Sequence, residues 1–199
     1  MKKPANTRVR IHPLLAERWS PRAFSHRPVS DEQLERLFEA ARWAPSASNE
    51  QPWYFIVGRS GDETCQKIYD ALVEFNQLWA KTAPVLVVAV SRKNSLKSGT
   101  LNTWHSYDLG QAVAHLTVQA MHEGLFVHQM GGFNGMQISE AFKIGDDYLV
   151  ITIFAVGYAG DYKVLHPNLQ KLELAERMRK EQKEFVFTSY FGQPLKLSK

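Results

Sequence analysis

Apolar positions along this chain repeat with helical spacing in some stretches and run continuously in others. Leu34, Leu37, Phe38 and Ala41 follow helical spacing behind Ser30-Asp31-Glu32-Gln33, a sequence suited to a reciprocal N-terminal cap. They predict a helix from about Asp31 to Trp43, stopped by Pro45 and the small polar residues after it. Trp53–Val57, bounded by Pro52 and Gly58, reads as a short strand, and a second helix is expected from about Glu63 to Ala80. Val85–Val90 is apolar at every position, which suits a strand covered on both faces. Ser91–Thr103 is polar and reads as a mobile loop. Leu109, Ala112, Val113, Leu116 and Ala120 then mark a long helix over Tyr107–Glu123, with Gly124 as its C-terminal stop. A short helix near Met136–Phe142, a buried strand over Leu149–Gly157 and a charged helix near Leu169–Lys180 follow. Residues 184–199 are expected as an extended C-terminal arm.

No internal repeat or long linker interrupts this pattern, so one domain over residues 1–199 is expected. Helices and strands mix without a strict βαβ rhythm, and no G-x-G-x-x-G follows a strand, so any nucleotide must be held by another device. The formal charge of +4 suits an anionic small molecule and is too small and scattered to argue for nucleic acid. The apolar runs fall short of the ~20 residues a membrane helix needs. With a single cysteine, Cys65, and a polar start, a cytoplasmic protein is the expectation. His115 and His122 lie about two helical turns apart, ~10 Å along the axis, which is too far for one ion, so no metal site is expected.

Three segments carry chemistry. In Arg18-Trp19-Ser20-Pro21-Arg22 an extended backbone sends Arg18, Ser20 and Arg22 to one side, and two guanidinium forks around a hydroxyl suit a phosphate. Spacing alone is equally met by a solvated basic loop. Ser46-Ala47-Ser48-Asn49-Glu50-Gln51 joins a helix end to a strand start, where free amides and small side chains admit a flat ligand, or simply form a polar connector. Gly131-Gly132, between a strand and a helix, can bring backbone N–H groups close to a ligand atom, or can serve a turn that needs positive φ.

Taken in this order and at these separations, the three segments resemble the FMN-dependent nitroreductase family, and the resemblance runs from Pro13 to Gly192. It implies an α+β fold: a central, mostly antiparallel sheet flanked by helices, in an intertwined homodimer with the long helix at the interface and the terminal arm wrapping the partner. It implies that Arg18 and Ser20 bind the FMN phosphate and that Arg22 lies nearer flavin N1 and O2. Ser46, Ala47 and Asn49 would come from the partner subunit. Gly132, with Gly131, would offer an N–H to N5, Asn76 would meet the ring edge, and Arg177 and Arg179 would close on the phosphate. Gly131 and Ala47 depart from the Glu and second Ser that many members carry there, which leaves backbone contacts intact and alters polarity over the ring.

The chemistry so implied is ping-pong hydride transfer from NAD(P)H to FMN and on to a nitroaromatic, quinone or similar acceptor, with no catalytic acid legible and Arg22 and Gly132 tuning the flavin. Trp104, His105 and Tyr107 are candidates for the substrate side, although packing accounts equally for Trp104 and Tyr107. Open alternatives are a relative acting on a defined metabolite (ene reductase, dehydrogenase or dehalogenase), a non-catalytic flavin-binding redox module, and a structural dimer without cofactor.

Overall fold

The computed structural model describes residues 1–196. Four strands, β1 (Trp53–Arg59), β2 (Val85–Arg92), β3 (Phe126–Met130) and β4 (Tyr148–Gly157), form one sheet in the order β1-β2-β4-β3. Every pairing is antiparallel, including β2 on β1 (Trp53 opposite Ser91) and β4 on β3 (Gly157 opposite Phe126). β2 is buried along its whole length, as its unbroken apolar run implies, because helices cover both faces of the sheet.

Alternation along β2 separates two cores. Leu86, Val88 and Val90 face Ile68, Trp79, Ile138 and Leu169 on one side. Val85, Val87 and Ala89 face Leu37, Leu109, Val113 and Leu116 on the other. The second layer is built by α2 (Asp31–Arg42) and α5 (His105–His122). In α2 the cap forms as expected: Ser30 Oγ accepts from the Gln33 N–H at 3.2 Å, and Gln33 Oε1 accepts from the Ser30 N–H at 3.2 Å. Gly124 ends α5 with φ 73°, a left-handed conformation that glycine adopts without steric cost. The first layer is built by α3 (Glu63–Asp70), α4 (Glu74–Ala80), α6 (Gly135–Ala141) and α7 (Pro167–Leu174). Cys65 lies in α3, where burial pushes its thiol up to about 11, with Asp62 reinforcing the shift; the thiolate is disfavoured there.

Several boundaries differ from the pattern reading. The helix expected over 63–80 is two helices, because the backbone of Ala71–Val73 pairs with the Gly-Gly segment instead of continuing the turn. The Val73 N–H donates to Gly132 O at 3.1 Å and the Asn134 N–H to Ala71 O at 2.7 Å. Ser91 and Arg92, expected in a mobile loop, belong to β2 and are buried. The rest of that loop is pinned by Glu50, which accepts from Ser95 Oγ at 2.6 Å and from the Leu96 N–H at 3.2 Å. α7 stops at Leu174, six residues earlier than expected, and Lys3 Nζ donates to the carbonyls of Glu173 and Ala175 at its end.

A short helix not read from the pattern, α1 (Pro13–Glu17), opens with proline and is capped by the His12 side chain. The expected extended arm over 184–199 is also different within the described residues. Gln182–Glu184 is a 3₁₀ turn, and Thr188 then donates its N–H to Gln193 O at 2.9 Å, so the chain doubles back on itself through Gly192. Residues 197–199 of that arm lie outside the described part.

Candidate functional site

α1 ends at Arg18, whose N–H donates to Leu14 O at 3.2 Å, and the chain then runs extended beneath the C-terminal end of α7. Arg18 Nη1 donates to Ser20 Oγ at 3.2 Å, so these two side chains do share one side. Arg177 crosses from the other end of the chain and donates Nη1 to Lys3 O at 2.7 Å and to Ala16 O at 2.8 Å. Burial holds the Arg18 guanidinium below its usual range, and the positive charges of Arg177 and Arg179 push it further. Arg177 is lowered for the same two reasons, burial first and then Arg179. Among the described residues, Arg18, Arg177 and Arg179 form no ion pair. Three mutually repelling guanidinium groups without a carboxylate make a site for an anion.

Arg22 is treated differently. Its N–H and that of Ala23 donate to Glu173 Oε1 at 2.8 and 3.1 Å, and its Nη1 lies 3.7 Å from Glu173 Oε2. Its buried Nε has no hydrogen-bond partner. The segment is tied down between these residues by His128 of β3, whose Nδ1 lies 2.8 Å from Pro21 O and so must carry the proton.

The Gly131–Gly132 segment follows β3 directly. Neither glycine has positive φ, so the conformational reason for a Gly-Gly pair does not apply. Gly132 sits in a tight place: a Cβ there would stand 2.8 Å from Val73 Cγ2 and 2.9 Å from Asn76 Nδ2, so both side chains would have to shift. Asn76 Nδ2 donates to Gly132 O at 3.0 Å, which brings two expected site residues together and fixes the direction of the Gly132 peptide. Nothing would crowd a side chain at Gly131.

Ser46, Ala47 and Asn49 form a separate element. Ser48, Asn49 and Gln51 have φ of 51°, 56° and 48°, three left-handed non-glycine residues within four positions. Such strain persists only where the surroundings impose it. Here Ala47 N–H donates to the buried Asp108 Oδ2 at 3.1 Å, Gln51 N–H donates to Ser46 Oγ at 3.0 Å, and Lys97 Nζ donates to Ser48 O. Glu50 closes the end by pairing with Arg92 Nη2 at 3.3 Å, both side chains being buried. No hydrogen bond among the described residues links Ser46, Ala47 or Asn49 to the Arg18–Arg22 segment. Trp104 and Tyr107 are exposed and meet edge to face at 6.2 Å, while His105 Nδ1 lies 3.0 Å from Ser91 Oγ.

A model of the family described as "Nitroreductase family" matches residues 15–77, the stretch holding the first basic segment, the strained segment and Asn76. A protein of Archaeoglobus fulgidus, assigned by name as an NADH dehydrogenase/NAD(P)H nitroreductase, is 30% identical over 154 residues, covering 75% of this chain and 86% of that protein. The chain belongs to the nitroreductase family. An oxygen-insensitive NADPH nitroreductase of Helicobacter pylori is 40% identical over 83 residues, which is 41% of this chain and 39% of that one. Among solved structures, an oxidoreductase containing FMN has 34% identity and a TM-score of 0.89, over 95% of this chain and 96% of that one. A nitroreductase family protein of Clostridium difficile shares the fold at 24% identity and TM-score 0.70, over 89% and 97% of the two chains.

Four residues that hold the segments of this candidate site escaped the sequence reading: Glu173, His128, Asp108 and Lys3. Each acts through backbone groups of a distant segment, and such pairings leave no spacing signal. His128 has a measurable consequence. Burial drives its ring down to about 4, with Arg22 and Arg18 adding to the shift. A histidine with a folded pKa below its unfolded value leaves the unfolded chain holding more protons, so stability falls as pH drops from about 6.5 through 4. About 3 kcal/mol should be lost across that window. Urea midpoints between pH 7 and 4 check this, and His128→Gln should flatten the profile; an unchanged slope would refute the assignment.

Proposed function

We propose that this protein holds FMN with the phosphate on Arg18, Ser20, Arg177 and Arg179 and the polar edge of the ring toward Arg22, Asn76 and Gly132. As a member of its family the chain is an FMN-dependent oxidoreductase. The finer reading is electron transfer from NAD(P)H to a nitroaromatic, quinone or similar small acceptor. The observation that carries it is the cluster of three guanidinium groups with no carboxylate among them, the charge pattern a phosphate monoester near −2 would complete.

The residues present fit the group. The ring-side contributors are a buried Arg22 Nε with no partner, a peptide at Gly132 whose space a Cβ would fill, and Asn76 locking that peptide. Bound FMN supplies hydride acceptance at N5 and its passage to the acceptor. Arg22 then serves the N1 and O2 side, where its positive charge favours the reduced, anionic flavin. No side chain is assigned as a proton donor.

The reading includes a second copy of the chain that lays Ser46, Ala47 and Asn49 over the ring. The strained backbone at Ser48, Asn49 and Gln51, and the lack of hydrogen bonds from Ser46, Ala47 or Asn49 to the basic segment, support this. So do large apolar side chains left exposed, such as Trp43 at 71% and Met136 at 76%. The terminal arm from residue 184 is read as part of that contact, with the whole chain one domain in the cytoplasm.

Purified protein is expected to be yellow, to release a compound of FMN mass on denaturation, and to bleach with NADH or NADPH and recolour with nitro or quinone acceptors. A colourless chain that takes up no added FMN ends the proposal. Flavin that NAD(P)H cannot reduce would instead leave a redox-binding module.

A further inference from the structure

Among the described residues, the carboxylate paired with Arg22 comes from the helix read in the sequence only as charged. Glu173, on α7, is only 1% exposed. Its Oε1 takes two backbone N–H bonds, from Arg22 at 2.8 Å and Ala23 at 3.1 Å, which set the path of the chain at Arg22. Its Oε2 has no hydrogen-bond partner and stands 3.7 Å from Arg22 Nη1, near the guanidinium without closing on it. Lys3 Nζ donates to the Glu173 carbonyl and feels its carboxylate only at longer range, whereas Arg22 is the one cation that pairs with that carboxylate among the described residues. A buried charge left half-paired is costly unless something else holds it in place.

From this arrangement we infer that Glu173 is a positioning residue which both aims Arg22 and offsets part of its positive charge, and so lowers the reduction potential of the flavin beside it. The inference rests on the FMN reading given above. Two carboxylate functions are separable here. The Oε1 contacts are neutral-to-anion hydrogen bonds that an amide oxygen can also accept. The field on Arg22 requires the charge itself, because at short range in a water-poor setting an unscreened carboxylate opposes the guanidinium strongly.

Glu173→Gln keeps an acceptor for the Arg22 and Ala23 amides and removes the charge. With Arg22 no longer offset, the anionic reduced flavin is favoured. The expected result is a reduced-to-oxidised ratio raised roughly tenfold at a fixed solution potential, which for a two-electron couple is about 30 mV more positive. The measurement is spectroscopic titration of the holoenzyme against a reference dye. The same substitution made in an Arg22→Gln background is expected to shift the potential by distinctly less, because only the direct field of the carboxylate at the ring is then lost and no guanidinium is left to be re-aimed. Glu173→Asp, which keeps the charge and withdraws it by a methylene, is expected to shift the potential in the same direction by less, and it decides the matter if Glu173→Gln does not fold.

Flavin-loaded variants with the wild-type potential would overturn the inference while leaving the FMN site standing. So would an equal shift with and without Arg22. Wild-type protein that binds no FMN would remove both the site and the inference.

Discussion

Arg18→Ala is expected to weaken FMN retention by roughly 30-fold or more, since losing one partner of a close charge-assisted pair costs about 2 kcal/mol or more. The direction of its effect on the flavin-free chain is the sharper test. In the folded chain the Arg18 charge is disfavoured by burial and by Arg177 and Arg179, so its pKa lies below the unfolded value. A base lowered on folding binds protons less well in the native state, and keeping it charged at neutral pH therefore costs stability. Removing the charge relieves that cost. Thermal melts of the flavin-free variant are expected at or above the wild-type midpoint, while melts with saturating FMN fall below it. The crossing arises because ligand binding stabilises only the native state, and more for the tighter binder. A variant that melts lower in both conditions would assign Arg18 to packing and not to the anion.

Arg177→Ala separates from this. Its Nη1 ties Lys3 O and Ala16 O, so its removal frees two carbonyls as well as taking away a proposed phosphate contact, and stability is expected to fall with or without FMN. The two arginines thus share a proposed role and differ in what else they hold.

Much of the fold was legible because local pattern and final environment agree. The unbroken apolar run of β2 and the cap of α2 each encode one element without help from elsewhere. The break between α3 and α4 was not legible, since Ile68, Leu72 and Trp79 keep an apolar rhythm across it, and the interruption is imposed by the Gly132 backbone far along the chain. The candidate site divides the same way. Arg18 and Ser20 do meet as their alternation implies. Gly132 was read as close approach or positive φ, and the structure shows a third reason, a peptide wedged between Val73 and Asn76. Arg177 and Arg179 have no local mark and were named only through the family resemblance. Glu173 was hidden most completely, because a glutamate in Lys171-Leu172-Glu173-Leu174 has the pattern of a wet surface and its partners stand about 150 residues away.

Trp79→Ala is expected to cost about 3–5 kcal/mol, the usual toll for emptying a fully buried aromatic site, or a midpoint lowered by roughly 10 °C in a chain of this size. Trp79 is wholly buried, its ring 4.3 Å from that of His128 and 6.3 Å from that of Phe24. Its Nε1 has no partner, so part of the loss is returned when that N–H goes. Trp79→Phe, which keeps most of the apolar volume and removes the same N–H, is therefore expected to cost much less than alanine does. The damage should also reach the anion site by a definite route. Trp79 walls the buried ring of His128, which holds Pro21 O between Arg18 and Arg22. With that wall gone, water reaches the imidazole and its pKa climbs from about 4 toward the ordinary value. FMN retention by the alanine variant should then become pH-dependent between about 4 and 6.5, where the wild type stays flat until near 4. Proton NMR titration of the histidine, alongside flavin fluorescence at each pH, checks both halves. A variant melting within a degree or two of wild type would mean that Trp79 is not the keystone of this layer, and an unmoved His128 would cut the link from that layer to the site.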